Sequence, residues 1–253
     1  MEFNNNTEYL DQHFLINEDI INKFIDICNL SKEDIVLEIG PGKGVLTKII
    51  SSKVKKLYVI EKDIRLKKYL DKIDNIEVIY DSCLDVDFPK VDKIITSLPY
   101  SIIEPFIYKL INTDFKELYM IMGKSYVDNV LNKEINNLSL ITNTFFDIEK
   151  YIDIKPNDFY PAPKVYSSII KLTHKTYLTK IDRIFQNMYK LDDKLVKNAL
   201  LESFIKVNNW TKREAKEYIV NLKISNNILS TRFKLIDNNS LKELYCKISI
   251  SST

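Results

Sequence analysis

The sequence predicts an α/β fold, a doubly wound, Rossmann-like parallel sheet followed by a small C-terminal helical domain. Three observations predict it. An apolar run, Ile35 to Ile39, ends in three glycines at alternate positions, Gly40, Gly42 and Gly44, and a helical pattern (Leu46, Ile49, Ile50) follows at once. Short apolar runs then alternate with helix-length segments, the signature of a parallel sheet wound with helices. Beyond Lys175 the strand signals thin out and helical spacing takes over. The expected domains are residues 1–174, the α/β body, and 175–253, the helical unit.

Composition limits the function classes. At 253 residues and 45% hydrophobic content the chain can bury a sizeable core. It has no 18-residue apolar run and no charged-then-apolar start, so neither a membrane span nor a signal peptide is expected. Cys28, Cys83 and Cys246 lie far apart and form no metal spacing, which suits thiols in a reducing cytoplasm. His13 and His174 are the only histidines, too few for a zinc site or a His-based triad. Net charge is +2, unevenly placed: from Lys175 onward 15 basic residues face 8 acidic ones (+7), leaving 22 against 27 (−5) before it. A basic appendage on an acidic body suits a polyanionic partner, and a solvated lysine-rich surface explains the charge equally well.

Taken in order, residues 1–16 open with a polar stretch (Asn4, Asn5, Asn6) carrying Glu2, Glu8 and Asp11. Asn17 can cap a helix whose apolar stripe is Ile20, Ile21, Phe24, Ile25 and Cys28. The glycine stretch comes next. Only four glycines exist in the chain and three sit here, where a backbone must bend sharply and let a ligand approach. A buried strand, a glycine turn and a helix N-terminus make a cradle at a strand's carboxyl end. Val45 breaks the Gly-x-Gly-x-x-Gly dinucleotide fingerprint, and Lys43 is followed by Gly44 rather than Ser or Thr, so no phosphate loop is present.

Leu57 to Ile60 reads as a second strand ending in Glu61, followed by a helix with Leu66, Tyr69 and Leu70. Ile76 to Ile79 is a third strand leading to Asp81, and Lys93 to Thr96 a fourth ending in Ser97-Leu98-Pro99-Tyr100. Ile102 to Leu110 is helical, with Pro105 tolerable only near the first turn. Leu118 to Met122 is a fifth strand; Val127–Leu131 and Leu138–Asn143 are helical; Phe145–Ile154 and Ser167–Leu172 are strands. Between the last two lies a proline-braced aromatic loop, Phe159-Tyr160-Pro161-Ala162-Pro163-Lys164-Val165. Helices then carry Ile181, Ile184, Phe185 and Met188, next Leu195 to Phe204, then a capping box of Thr211 and Glu214, and last Leu241 to Ile248. In such a sheet the polar residues closing successive strands gather along one edge, where ligands bind.

Glu-x-Gly-x-Gly-x-Gly, residues 38–44, resembles the first motif of S-adenosyl-L-methionine methyltransferases. Glu61, 21 residues beyond Gly40, can accept both ribose hydroxyls of an adenosine, and Asp81 can accept from its adenine amino group. Ser97-Leu98-Pro99-Tyr100 resembles the Asn-Leu/Ile-Pro-Tyr/Phe motif of amino-group methyltransferases. An adenine amine is a poor nucleophile because its lone pair is delocalised into the ring. The Ser97 hydroxyl and Leu98 carbonyl can hold its hydrogens and aim the lone pair, while the Tyr100 ring stacks on the base. No strong base is needed, because the alkylated amine loses its proton readily.

Through these residues the chain resembles the KsgA/Erm family of ribosomal RNA adenine N6-dimethyltransferases, nearest its archaeal and eukaryotic KsgA-type branch. The match runs through Gln12-His13-Phe14-Leu15, the glycine motif, Glu61, Asp81, residues 97–100 and Phe159 to Ser167, and more weakly through Phe185-Gln186 and Lys197 to Leu200. The resemblance implies that His13, Leu15, Gly40 and Gly42 join Glu61, Asp81 and Ser97 around the cofactor. It further implies that Phe159 is a second ring enclosing a flipped adenine. The body would then be catalytic and the helical unit would recognise substrate. The expected partner is ribosomal RNA or a ribosomal subunit, the small subunit first, for a cytoplasmic monomer.

The chain also departs from the family pattern. Ser97 stands where the family usually has Asn, and Gly123 to Asn129 where it often has Gln-x-Glu-x-Ala-x-Arg. The basic run after Phe-Gln is diluted to Asn187 to Asp193, and each lost cation removes a possible phosphate contact. Two alternatives stay open on this ground: a diverged paralogue methylating another RNA, a protein or a small-molecule amine, and a non-catalytic nucleic-acid-binding relative.

Overall fold

The computed structural model describes residues 13–250; the opening stretch with Glu2, Glu8, Asp11 and Gln12 lies outside the described residues. The first elements are β1 (Phe14–Leu15), α1 (Glu18–Ile27), β2 (Ile35–Ile39) and α2 (Val45–Lys53). Then come β3 (Lys56–Ile60), α3 (Lys67–Leu70), β4 (Ile76–Ile79), β5 (Lys93–Thr96) and α4 (Ile103–Leu110). They are followed by β6 (Glu117–Gly123), α5 (Lys124–Leu131), α6 (Asn137–Phe145), β7 (Phe146–Ile154), β8 (Phe159–Tyr160) and β9 (Ser167–His174). Five α-helices follow among the described residues: α7 (Lys180–Lys190), α8 (Val196–Asn208), α9 (Lys212–Asn221), α10 (Asn226–Ser230) and α11 (Asn238–Ile250).

Seven strands form one sheet in the order β4-β3-β2-β5-β6-β9-β7. The first five are parallel and β9 is antiparallel to β6. The chain steps outward from β2 to β3 and β4, then returns to place β5 on the other side of β2. That reversal of winding opens a crevice at the carboxyl ends of β2 and β5, the place where doubly wound sheets bind ligands. The doubly wound sheet read from the sequence is therefore present, with each of its main strands found within a residue or two of the expected bounds.

Local chemistry explains the element ends. The Asn17 side chain caps α1 by accepting from the N–H groups of Asp19 and Ile20. Gly44, at φ +77°, caps α2 in the left-handed region, and Pro105 is the third residue of α4, where no intrahelical N–H bond is lost. Phe24, Val36, Ile50, Leu57, Ile95 and Ile169 belong to the buried core that fixes the sheet against its helices. β1 and β8 form a separate two-stranded ribbon, with Phe14 opposite Tyr160 and Leu15 opposite Phe159. Asn17 ties that ribbon further by donating from Nδ2 to Asp158 Oδ1 at 2.7 Å.

The chain divides into two compact units, 1–128 with 148–174 and 129–147 with 175–253. The sequence pattern places 129–147 with the sheet. The contacts group that stretch with the later helices: Gln186 Nε2 donates to Thr144 O at 3.0 Å and Lys175 Nζ to Asn143 O at 2.9 Å. Aromatic packing holds this unit, with Tyr189 edge-on to Phe145 (6.0 Å) and Phe233 (5.1 Å), and Phe204 edge-on to Tyr218 (5.1 Å). Capping boxes at Thr179/Asp182 and at the expected Thr211/Glu214 start α7 and α9.

Candidate active site

A cleft of about 1170 Å³ lies in the first unit at the carboxyl edge of the sheet. The strand order turns sequence positions into neighbours. Asp81 follows β4, Glu61 follows β3, Gly40 follows β2 and Ser97 follows β5, so these four stand side by side along the edge. All eleven residues singled out in the sequence (His13, Leu15, Gly40, Gly42, Glu61, Asp81, Ser97, Leu98, Pro99, Tyr100 and Phe159) line this one cleft.

The glycine turn is held from two sides. Gly40 and Gly42 have φ of +72° and +57°, which side chains other than glycine rarely adopt. A Cβ on Gly42 would lie 2.7 Å from the Phe14 ring, so the bare backbone is what lets β1 close over the turn. On the far side Glu61 accepts from the Gly42 N–H at 3.3 Å through Oε2 and from the Asp63 N–H at 2.7 Å through Oε1. Glu61 is only 5% exposed. Burial raises its carboxyl above the usual range, and the two backbone N–H bonds pull it back. A Cβ on Gly40 would lie 3.5 Å from Leu98 and 3.6 Å from the Ser97 carbonyl oxygen, so the turn runs alongside the start of the Ser97–Tyr100 segment.

Beneath the turn Glu38 is buried, and its Oε2 has no hydrogen-bond partner among the described residues. Burial pushes its carboxyl up to about 8, and the nearby Glu61 adds to the rise. Glu38 stands in the quoted Glu-x-Gly motif, yet spacing alone assigned it no part. Asp81 is exposed, and its Oδ1 accepts from the Ser82 N–H at 2.7 Å.

On the other flank Tyr100 opens a short 3-10 turn ahead of α4. Its hydroxyl lies 2.8 Å from Ser167 Oγ, and its ring lies where a side chain on Gly123 would meet it. Neither partner could be found from the sequence, because both depend on the register of β6 against β9. Phe159 lines the cleft but is 4% exposed, and the rest of its ring sits in the sheet core. His13 Nδ1 is 2.8 Å from Pro161 O, which ties the entry of β1 to the proline loop. No group of three or more His, Cys, Asp or Glu among the described residues could hold a metal, and none of their helices is long and apolar enough to cross a membrane.

The donor set fits an adenosine cofactor: paired carboxylates at adjacent strand ends for ribose hydroxyls and an adenine amine, beside a side-chain-free turn. Fold and site together define an S-adenosylmethionine-dependent methyltransferase. The comparisons with known proteins make the class specific. A family model described as ribosomal RNA adenine dimethylase matches residues 2–231, and the chain belongs to that family. It is thus an N-methyltransferase acting on adenine in ribosomal RNA.

The chain is 34% identical over 202 residues to a protein of Pyrococcus abyssi named probable ribosomal RNA small subunit methyltransferase A, covering 77% of this chain and 75% of the relative. A protein of the same name from Methanococcus vannielii is 31% identical over 242 residues, covering 89% and 90%. In fold it matches a dimethyladenosine transferase from Plasmodium falciparum, with a TM-score of 0.64 at 23% identity over 94% of this chain and 98% of that one. It also matches the 23S rRNA methyltransferase ErmE, with a TM-score of 0.60 at 18% identity over 93% and 99%.

Proposed function

We propose that the cleft holds S-adenosylmethionine between the glycine turn and the carboxylates of Glu61 and Asp81, and a flipped adenine against Tyr100. One observation carries this reading: Ser97 and Tyr100 line the same cleft as Glu61, on strand ends two places apart in the sheet. When bound, the cofactor supplies a sulfonium-activated methyl group. The chain's own work is positioning. Glu61 accepts ribose hydroxyls with the lone pairs that its backbone bonds leave over. Ser97 Oγ and the Leu98 carbonyl accept the two amine hydrogens, which turns the nitrogen lone pair out of conjugation and towards the methyl-binding side. Pro99 fixes the bend that presents Tyr100, and Tyr100 offers its face to the base in place of the lost neighbours in the stack. Phe159 lines the same cleft as the second ring beside the adenine, with His13 and Leu15 holding the ribbon that carries it. Leu15 faces Phe159 directly in that ribbon.

Supported by the relatives' names, we take the small ribosomal subunit as the substrate and the cytoplasm as the place of action. The enzyme works as a monomer, and the basic helical unit supplies phosphate contacts. The reading is tested by Tyr100→Ala: methyl transfer to ribosomal RNA falls at least a hundredfold while S-adenosylhomocysteine binds as before. Unchanged transfer in that variant removes Tyr100 from its assigned place.

A further inference from the structure

We propose that Ser167 is a positioning residue of the methyl transfer, acting through Tyr100. The inference rests on the reading above, in which Tyr100 lies against the target base.

Ser167 opens β9 and is 1% exposed, next to the apolar residues Ile169, Ile170 and Leu172. A buried hydroxyl in such a strand costs stability unless it is hydrogen-bonded. Side chains alternate along a strand, and the two serines divide accordingly. Ser168 donates to Asp153 Oδ1 at 2.6 Å, an ion-pair neighbourhood in which Lys150 also meets Asp153 at 2.8 Å. Ser167 lines the cleft instead, and its Oγ lies 2.8 Å from the Tyr100 hydroxyl.

The backbone around it is built for the same ring. Ser167 pairs with Gly123 in the antiparallel β6–β9 ladder, the last pair in the register. A Cβ on Gly123 would meet Cζ, Cε1 and Cε2 of Tyr100 at 3.6, 3.7 and 3.8 Å. The far edge of the phenol therefore lies beside Gly123, about a methyl's width away, while its hydroxyl is tied to the residue directly across the ladder. A ring fixed only at its Cβ can swing about χ1 and χ2. A ring flanked by Gly123 and tied by its hydroxyl to Ser167 swings less, and a stacked base inherits the orientation that the bond favours. Positioning of this kind acts on the transition-state geometry more than on cofactor affinity.

The experiment is a double-mutant cycle on the full chain, with Ser167→Ala, Tyr100→Phe and the double variant assayed on small subunits lacking the modification. S-adenosylhomocysteine affinity and thermal midpoint are measured alongside. Loss of one neutral hydrogen bond corresponds to a fall of about 3- to 10-fold in each single variant, expected in kcat with KM for the cofactor unchanged. The double variant is expected to be no slower than the slower single one, because both remove the same bond. Ser167→Thr keeps the hydroxyl and is expected to recover most of the rate. Losses that multiply in the double variant, or a Ser167→Ala enzyme with wild-type kcat, overturn the inference while leaving the methyltransferase reading intact. A wild-type chain that binds cofactor but methylates no adenine overturns the reading itself and this inference with it.

Discussion

Glu61 Oε2 accepts the backbone N–H of Gly42 at 3.3 Å, so the carboxylate closing β3 holds the glycine turn that closes β2. One side chain thus shapes the turn and faces the cleft. Glu61→Gln keeps the size but removes the charge and sets an NH2 group against one of two N–H donors. Losing a charge-assisted hydrogen bond costs about 1.5–3 kcal/mol, so S-adenosylhomocysteine affinity is expected to fall about 10- to 100-fold by titration calorimetry. An unchanged Kd removes Glu61 from the cofactor site.

Asp81 stands one strand further out and is exposed. Water can take over part of its role, so Asp81→Asn is expected to weaken the same affinity less, about 3- to 10-fold. An effect larger than that of Glu61→Gln reverses the ranking that burial assigns to the two carboxylates.

Two glycines make opposite predictions. Gly42→Ala places a methyl 2.7 Å from the Phe14 ring at φ +57°, and a left-handed alanine costs about 1–2 kcal/mol before any clash. A lower thermal midpoint and weak cofactor binding are expected, partly recovered by adding Phe14→Ala. Gly123→Ala meets Tyr100 at 3.6 Å, an ordinary contact, and is expected to change stability by less than about 1 kcal/mol. Equal losses in the two variants contradict this description of the turn.

Glu38 predicts a pH dependence. Its folded carboxyl is raised by burial from 4.5 to about 8, so the folded chain holds a proton that the unfolded chain has released. The contribution of this group to stability is therefore fully present below about 4.5 and is lost as pH rises towards about 8, with a limiting slope of about 1.4 kcal/mol per pH unit. Glu38→Gln is expected to flatten that part of the profile in denaturant titrations. A variant whose stability falls as steeply as the wild type assigns the slope to another group.

Much of this architecture was legible because its signals are local. The apolar run into Gly40, Gly42 and Gly44 states strand, turn and helix within sixteen residues, and Glu61, Asp81 and Ser97 follow because each closes an apolar run. The seat of Tyr100 was not legible. Gly123 and Ser167 are 44 positions apart in sequence and meet only through the antiparallel register of β9, which no local pattern encodes. The β1–β8 ribbon escaped because two-residue strands carry no periodicity. The grouping of α6 with the later helices was hidden for a similar reason: its apolar face says that it packs, and only tertiary contacts say against what. The family resemblance makes Phe159 a ring beside the base, and its burial leaves only part of that ring to face the cleft.

The central claim is tested most directly by transfer of labelled methyl from S-adenosylmethionine to naked ribosomal RNA, small subunits and large subunits lacking the modification, followed by nucleoside mass analysis. The account predicts N6-methylated adenine in the small-subunit RNA, abolished by Tyr100→Ala. No methylated adenine in any of the three, from a chain that binds the cofactor, would contradict it.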